Sequence, residues 1–229
     1  MKRQKQRQAK AFVERIAALR FENVFNPYCQ TCVNYDLADA AEIRKHNLTG
    51  VLEAALTGPV HSIWIARDLG YKGGRRTGLA LTDEIHLIAH AQLLGSRPLV
   101  QATKGPAMAE RTATIVWEML RLINRPIFLW NVFPLHPHLP GDPMSNRCHT
   151  RAERVASLPL LVWLVEALQP KTVIAIGEDA RGALAKSGIN AVSVRHPSYG
   201  GRSDFVSKLQ EIYNLPVRRK HRANQLSLI

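Results

Sequence analysis

Three polar residues of different chemistry each lie at or just beyond the end of a short apolar segment typical of a buried strand. Asp68 follows residues 60–66, Asn131 ends residues 127–131, and His196 follows residues 191–195. Hydrolysis of a nucleoside's N-glycosidic bond needs a carboxylate to orient water, a donor to the base oxygen that gains charge, and an amide to read the base edge. Many α/β proteins carry polar residues at strand ends, so the trio alone does not decide the function.

Helical and strand patterns alternate along the chain. Apolar spacing and stop signals predict helices over residues 10–20, 38–56, 83–94, 107–124, 150–168, 178–186 and 203–213. Buried strands are predicted over residues 60–66, 127–131, 172–177 and 191–195. This alternation predicts an α/β fold, a single domain of three α/β/α layers around a central four-stranded parallel sheet. Ligands bind outside the carboxyl ends of such strands, where the three polar residues lie.

The ends of the chain are basic and polar. We expect residues 1–9 to form a basic N-terminal arm, residues 10–216 the domain, and residues 217–229 a basic C-terminal tail. Residues 1–10 lack the hydrophobic segment of a secretory signal, and no apolar run reaches the roughly 18 residues of a membrane span. Together with only three cysteines, these features predict a cytoplasmic protein without a disulfide framework.

The net charge indicates the kind of partner. A formal charge of +13 over 229 residues favours a polyanion, and nucleic acid is the usual one, although a protein can be basic without binding any. Basic side chains flank the predicted strand ends and are candidates for phosphate contacts: Lys72, Arg75, Arg76, Arg195 and Arg202. Some of them could equally form a solvated basic face.

Four segments in the same order resemble motifs of the uracil-DNA glycosylase superfamily. They are WIARDLGYKGGRRTGLALTDE at 64–84, LWNVFPLHPHLPGDPMSNRCHTRAE at 129–153, TVIAIGEDA at 172–180 and RHPSYGG at 195–201. The resemblance extends over about residues 24–214, and four collinear motifs are far more specific than one. It implies a DNA glycosylase that flips a base out of the duplex and hydrolyses its N-glycosidic bond.

The resemblance also implies roles for the three polar residues. Asp68 would position the attacking water, His196 would donate to the base O2, and Asn131 would read N3 and the 4-position of a pyrimidine. No lysine nucleophile is apparent near the motifs, which indicates a monofunctional enzyme that acts through water. Ser198 and Tyr199 lie in the loop that enters the DNA stack in relatives, and Tyr199 would be the wedge. Tyr199 could instead pack on its own glycine-rich loop.

Several positions depart from the superfamily's motifs. Arg67 stands where Glu or Gln is common, and Leu81 replaces the aromatic ring that stacks on the flipped base. Gly70 occupies the position where one branch places a tyrosine against C5, and another branch also has glycine there. Together these changes predict a base pocket made by Leu81, Arg67, Gly70 and Asn131 that is poorly tuned for uracil and roomy beside C5.

The sequence therefore leaves the substrate open between several classes. One hypothesis is a pyrimidine with a bulky 5-substituent, such as hydroxymethylated or glucosylated cytosine of phage DNA, which would make the protein an antiphage enzyme. The alternatives are a repair glycosylase for uracil or other deaminated bases, and a non-catalytic relative that binds a modified base. An α/β protein that binds RNA or nucleotides is a further class, disfavoured by the four motifs.

The cysteines do not match a metal cluster. Cys29 and Cys32 have C-x-x-C spacing, but Cys148 is the remaining cysteine, and an iron–sulfur cluster needs four ligands. Zinc held by these cysteines and His149, with His136 or His138 contributing, is the alternative. We predict no metal and no cofactor.

The last five residues suggest a second partner. Gln225, Leu226, Ser227, Leu228 and Ile229 resemble the peptide by which bacterial repair and replication proteins dock on the DNA polymerase sliding clamp. Leu226, Leu228 and Ile229 would enter an apolar pocket, while Gln225 fixes the orientation. The same residues could instead pack back on the domain as an edge strand. Docking would imply a host that is bacterial or a virus of bacteria.

Overall fold

The structure, a computed structural model, describes residues 2–216. Its helices are α1 (Lys2–Ala17), α2 (Ala40–Thr57), α3 (Gly74–Thr77), α4 (Leu87–Leu94), α5 (Arg111–Ile123), α6 (Arg151–Leu168), α7 (Glu178–Lys186) and α8 (Arg202–Tyr213), with a 3-10 turn at Glu84–His86. The strands are β1 (Val24–Phe25), β2 (Ser62–Ala66), β3 (Ile127–Asn131), β4 (His136–Pro137), β5 (Thr172–Ile176) and β6 (Val192–Val194).

The central sheet is parallel and has four strands in the order β3-β2-β5-β6. Its register pairs Ala66 with Asn131 and Ile176 with Val194, so the strands end at one common edge. Helices cover both faces, which confirms the predicted α/β fold and the four-stranded parallel sheet. The carboxyl ends of the strands form the edge at which the polar trio was expected.

Alternating side chains of the strands enter two separate cores. Ile63 and Ile65 of β2 pack with α1, α2 and α6 on one face, and Trp64 packs with α5 and α8 on the other. Because both faces of β2 are covered, every residue of the strand is buried. A strand buried on both faces reads as a continuous apolar run rather than an alternating one.

Two features differ from the sequence prediction. Helix α1 begins at Lys2, so the residues predicted as a basic arm form its first turns instead. Strands β1 and β4 form a small antiparallel pair, in which Val24 faces Pro137. None of the helices within residues 2–216 is both long and apolar enough to cross a membrane.

Candidate active site

A cavity of about 460 Å³ opens at the carboxyl ends of the central strands. It brings together the loops that follow β2, β5 and β6 with the start of α5 and the loop before α6. Predicted site residues on its wall are Arg67, Asp68, Gly70, Leu81, His196, Ser198 and Tyr199. Asp68 and His196, which are 128 positions apart in the chain, thus face one space.

The Asp68 carboxylate is fixed by a donor on each oxygen. Arg67 Nε donates to Oδ2 at 2.7 Å, and His149 Nδ1 donates to Oδ1. Arg67 also reaches Asp179 Oδ2 at 3.1 Å, so its guanidinium bridges two carboxylates. Only 6% of the Asp68 side chain is exposed, and the two donors fix the orientation of its carboxylate. A fixed, ionised carboxylate can orient water and stabilise positive charge on a sugar.

His149 was considered from sequence only as a metal ligand, and its contact with Asp68 was missed. The residue precedes Thr150, whose hydroxyl caps α6 in a capping box with Glu153. Arg147 holds the same loop by donating to both carboxylate oxygens of Glu153, at 2.9 and 2.6 Å. The rigid start of α6 therefore positions the imidazole. With Nδ1–H on the carboxylate, Nε2 is the ring nitrogen that lies outside this contact.

The surroundings of His196 select its tautomer. The Ser198 backbone N–H donates to Nδ1 at 3.2 Å, and the Ser198 hydroxyl lies 2.7 Å from the same nitrogen. Nδ1 is therefore an acceptor, and the ring proton is on Nε2. Burial and, to a smaller extent, the charge of Arg67 lower the pKa of His196. A neutral imidazole with a free Nε2–H can donate to an oxygen that gains negative charge.

Glycines allow the His196 loop to approach the sheet. A Cβ on Gly201 would lie 2.1 Å from the His196 carbonyl oxygen, and one on Gly177 would lie 3.3 Å from the His196 Cβ. Gly177 also has a φ of +89°, a conformation that side chains rarely adopt. In the sequence, Gly177 stands out as the residue directly after β5, and Gly201 as the second of two glycines after Tyr199.

Asn131 is buried with an unused amide. Its exposure is 1%, and neither Oδ1 nor Nδ2 has a hydrogen-bond partner among the described residues. The backbone around it is held, since Val132 N–H donates to the Ala66 carbonyl at 2.9 Å. Asn131 is not among the residues that line the cavity. A buried amide without a partner costs stability, which is typical of a group kept for a ligand.

The sequence suggested open space beside Gly70, but the structure places a side chain there. The carboxyl group of Glu110 fills this space: a Cβ on Gly70 would lie 3.1 Å from Glu110 Oε1, and one on Gly73 only 2.2 Å from Oε2. Leu81, the replacement for the aromatic ring, lies on the same wall in a left-handed conformation with a φ of +54°. A carboxyl group therefore lines the space beside Gly70 that the sequence suggested was open.

Tyr199 is at the mouth of the cavity and is 99% exposed, with a φ of +50°. It does not pack on its glycine-rich loop, which was the alternative to a wedge. An exposed aromatic ring on a strained backbone is costly unless it serves contact with a partner.

The predicted phosphate contacts divide into two groups. Lys72, Arg195 and Arg202 are exposed, although Arg195 pairs with Asp204 and Arg202 with Glu118. Arg75 and Arg76 are only 2% and 6% exposed. The prediction is corrected for these two, because a buried guanidinium cannot reach DNA.

Both buried arginines have partners inside the protein. Arg75 packs over the Phe25 ring at 4.1 Å from its centroid. Arg76 donates to Glu84 at 3.0 Å and to Thr103 at 2.7 Å. They hold the loop after β2 against the small β1–β4 sheet and the segment before α5.

The candidate metal ligands are not gathered into one metal site within the described residues. No group of three or more His, Cys, Asp or Glu side chains in residues 2–216 is arranged to hold a metal ion. Cys29 and Cys32 are partly buried, and Cys148 is exposed. His136 instead donates from Nδ1 to the Leu69 carbonyl at 2.8 Å, and burial lowers its pKa to about 4.

The family model described as the Uracil DNA glycosylase superfamily matches residues 89–214, more than half of the chain. The chain belongs to this superfamily. It is a DNA glycosylase that hydrolyses N-glycosidic bonds, with DNA as its substrate. The matched region includes Asn131, His149 and His196, and the loop with Asp68 precedes it.

A solved structure has a similar fold. It is the crystal structure of wild-type SMUG2 of Pedobacter heparinus, with a TM-score of 0.58 and 14% sequence identity, covering 89% of this chain and 97% of that one. At this identity the similarity shows a shared fold. A comparison with proteins of curated function finds none that matches the chain.

The His149 contact gives a first prediction for this glycosylase. His149→Ala should lower kcat roughly tenfold to hundredfold with little change in DNA affinity, because a hydrogen bond to a charged group contributes about 1.5–3 kcal/mol. His149→Asn, whose amide N–H can replace the Nδ1 donor, should recover most of the loss. Single-turnover kinetics and a binding titration would separate the two effects.

The pair of variants also distinguishes two roles for the imidazole. If His149→Asn fails to recover the rate and His149→Ala alters the pH profile of kcat, then His149 accepts a proton at Nε2 during the reaction. Its role would then go beyond holding Asp68 in place. Wild-type rates in both variants would show that the contact has no part in the reaction.

Proposed function

We propose that this DNA glycosylase flips a modified pyrimidine into the cavity at the strand ends and hydrolyses its glycosidic bond with water. Asp68 orients the water and stabilises the cationic sugar, and His196 donates from Nε2 to the base O2. Asn131 reads N3 and the 4-position, which requires the side chains that cover its amide to move when the base enters. The observation that carries this proposal is that Asp68 and His196 face one cavity, each held by contacts with neighbouring residues.

The proposed substrate is a pyrimidine with a polar 5-substituent, such as hydroxymethylcytosine or its glucosylated form in phage DNA. Its support is the replacement of the stacking ring by Leu81, together with the carboxyl group of Glu110 beside Gly70. A carboxyl group there favours a substituent that can form hydrogen bonds over a purely apolar one. Under this proposal the enzyme acts in antiviral defence.

The substrate is tested by incubating the enzyme with uracil-containing, hydroxymethylcytosine-containing and glucosylated phage DNA. Released bases are identified by mass spectrometry, and abasic sites are counted. Release of the modified cytosine supports the proposal. Release of uracil alone would contradict it and identify a deaminated-base repair enzyme, and a wild-type enzyme that binds modified DNA but releases nothing would be a non-catalytic relative.

Tyr199 is proposed as the wedge that fills the gap left by the flipped nucleotide. Tyr199→Ala should slow cleavage at least tenfold in duplex DNA and much less in single strands, because single strands have no stack to hold open. Cleavage assays on matched duplex and single-stranded oligonucleotides measure the difference. Tyr35→Ala, which removes another exposed tyrosine outside the cavity, is the control. Equal losses in the two substrates would contradict the wedge.

We also propose that the tail docks on a bacterial sliding clamp in the cytoplasm. The residues concerned, Gln225, Leu226, Leu228 and Ile229, lie outside the described residues, so the support is their sequence alone. A calorimetric titration with a bacterial clamp should show micromolar binding, because a short peptide loses ordering entropy when it binds. Deletion of residues 225–229 should abolish it, and binding that survives the deletion would contradict the proposal.

A further inference from the structure

Glu110 is an ionisable residue on the cavity wall that the reaction itself does not use. It is the N-cap residue of α5, but its side chain does not cap the helix. Its backbone N–H donates to Asp83 Oδ2 at 2.7 Å, which fixes the start of the helix. The carboxyl group turns instead toward the loop after β2, where it lies against Gly70 and Gly73.

Among residues 2–216, no hydrogen bond or ion pair is formed with Oε1 or Oε2 of Glu110. Burial and the neighbouring Asp83 carboxylate raise the pKa of Glu110 to about 7, against a smaller opposing effect of Lys72. Other ionisable groups on the cavity wall are Arg67, Asp68, Arg147, Glu178, Asp179, His196 and Tyr199. A half-buried carboxyl group without a donor is costly, and a ligand with a donor would relieve that cost.

We propose that Glu110 is a specificity-determining residue that accepts a hydrogen bond from a donor group on the edge of the flipped base. This inference rests on the proposed function, since it assumes that the base enters this cavity. The donor is the hydroxyl of a 5-substituent or the 4-amino group of cytosine, and a bare uracil offers neither of them. Carboxylates are natural acceptors for such donors at base edges.

The glycines beside Glu110 leave the space that its carboxyl group occupies. Because a Cβ on Gly73 would lie 2.2 Å from Oε2, any side chain there must displace the carboxyl group. Gly73→Ala should therefore alter base selectivity in the same direction as removal of Glu110. In an Glu110→Ala background, Gly73→Ala should leave selectivity unchanged, because there is no longer a carboxyl group to displace.

The test compares four bases in one DNA sequence: uracil, cytosine, 5-hydroxymethyluracil and 5-hydroxymethylcytosine. Glu110→Gln should lower kcat/KM at least tenfold for the two hydroxymethylated bases and less than threefold for uracil. A loss confined to the two 4-amino bases would support the inference and assign the donor to the amine. An equal loss for all four bases, or none, would overturn it. Glu166→Gln, which removes an exposed carboxylate from α6, is the matched control.

Two further measurements keep the result interpretable. If the wild type cleaves none of the four bases, the proposed function fails. The selectivity is then tested by binding: the affinity of Asp68→Asn for each of the four duplexes is compared with that of Asp68→Asn combined with Glu110→Gln. The fold is checked by melting temperature between pH 4.5 and 8. Because the pKa of Glu110 is raised in the folded state, the wild type loses stability as the pH rises through about 7. The melting temperature of Glu110→Gln should therefore rise relative to that of the wild type over this range.

Discussion

Asp68→Asn is expected to lower the cleavage rate by roughly 10²–10⁴-fold while leaving DNA affinity within a few-fold of the wild type. The neutral amide cannot stabilise a cationic sugar, and it has one acceptor oxygen for the two donors, Arg67 Nε and His149 Nδ1, that now hold the carboxylate. Single-turnover cleavage measures the rate, and a fluorescence titration of the same oligonucleotide measures the affinity.

The matched control for this variant is Asp39→Asn. Asp39 is exposed before α2 and makes no side-chain cap, so the substitution removes one negative charge outside the cavity. The control matters because a chain with a net charge of +13 binds DNA more tightly when any carboxylate is lost. Cleavage by Asp68→Asn at the rate of this control would contradict the role given to Asp68.

The sheet was predictable because most of its strand residues lie in continuous buried runs: β2 and β3 are buried along their whole length, and β5 over its last three residues, whereas β6 is buried only at Val194. Residues 127–131 were predicted as a strand and form β3 with the same bounds, and the other three strands differ by one or two residues at their ends. Continuous apolar runs bounded by polar residues carry that information in the sequence itself. Because parallel strands end at one edge, the meeting of Asp68 and His196 followed from the strands alone.

Short or non-amphipathic elements could not be predicted in the same way. Strands of two residues, β1 and β4, show no periodicity at all. The first turns of α1 consist of Lys, Arg and Gln, which are good helix formers but give no apolar stripe before Ala9. The sequence pattern therefore identified the helix only from residue 10 onwards.

The missed site residues reach the cavity from places that periodicity does not fix. His149 lies in the loop before α6, and its contact with Asp68 spans 81 positions. Glu110 was predicted to lie inside a helix from residue 107, whereas α5 begins at Arg111 and leaves Glu110 at the N-cap. The buried Arg76 was likewise indistinguishable from an exposed arginine, because its partners Glu84 and Thr103 meet it only in the folded protein.

Asn131→Leu is expected to raise the stability of the protein and to lower its cleavage activity. The amide is 1% exposed without a partner in the described chain, so replacing it by an apolar side chain of similar size should raise the free energy of unfolding by about 1–3 kcal/mol. Cleavage should fall by roughly 10²–10⁴-fold, because the flipped base then has no amide with which to form its hydrogen bonds. Urea unfolding and single-turnover cleavage measure the two effects.

Asn47 provides the matched control, since it is equally buried but fully paired. Its Nδ2 donates to the Val100 carbonyl at 2.7 Å, and its Oδ1 accepts from the Val100 N–H at 3.0 Å. Asn47→Leu should therefore destabilise the protein by about 1–3 kcal/mol, because it leaves two backbone groups without partners. If Asn131→Leu destabilised the protein to the same extent, or cleaved at the wild-type rate, the amide would serve the fold rather than the base. A gain in stability with a loss of cleavage would instead identify Asn131 as a group whose partner is the substrate.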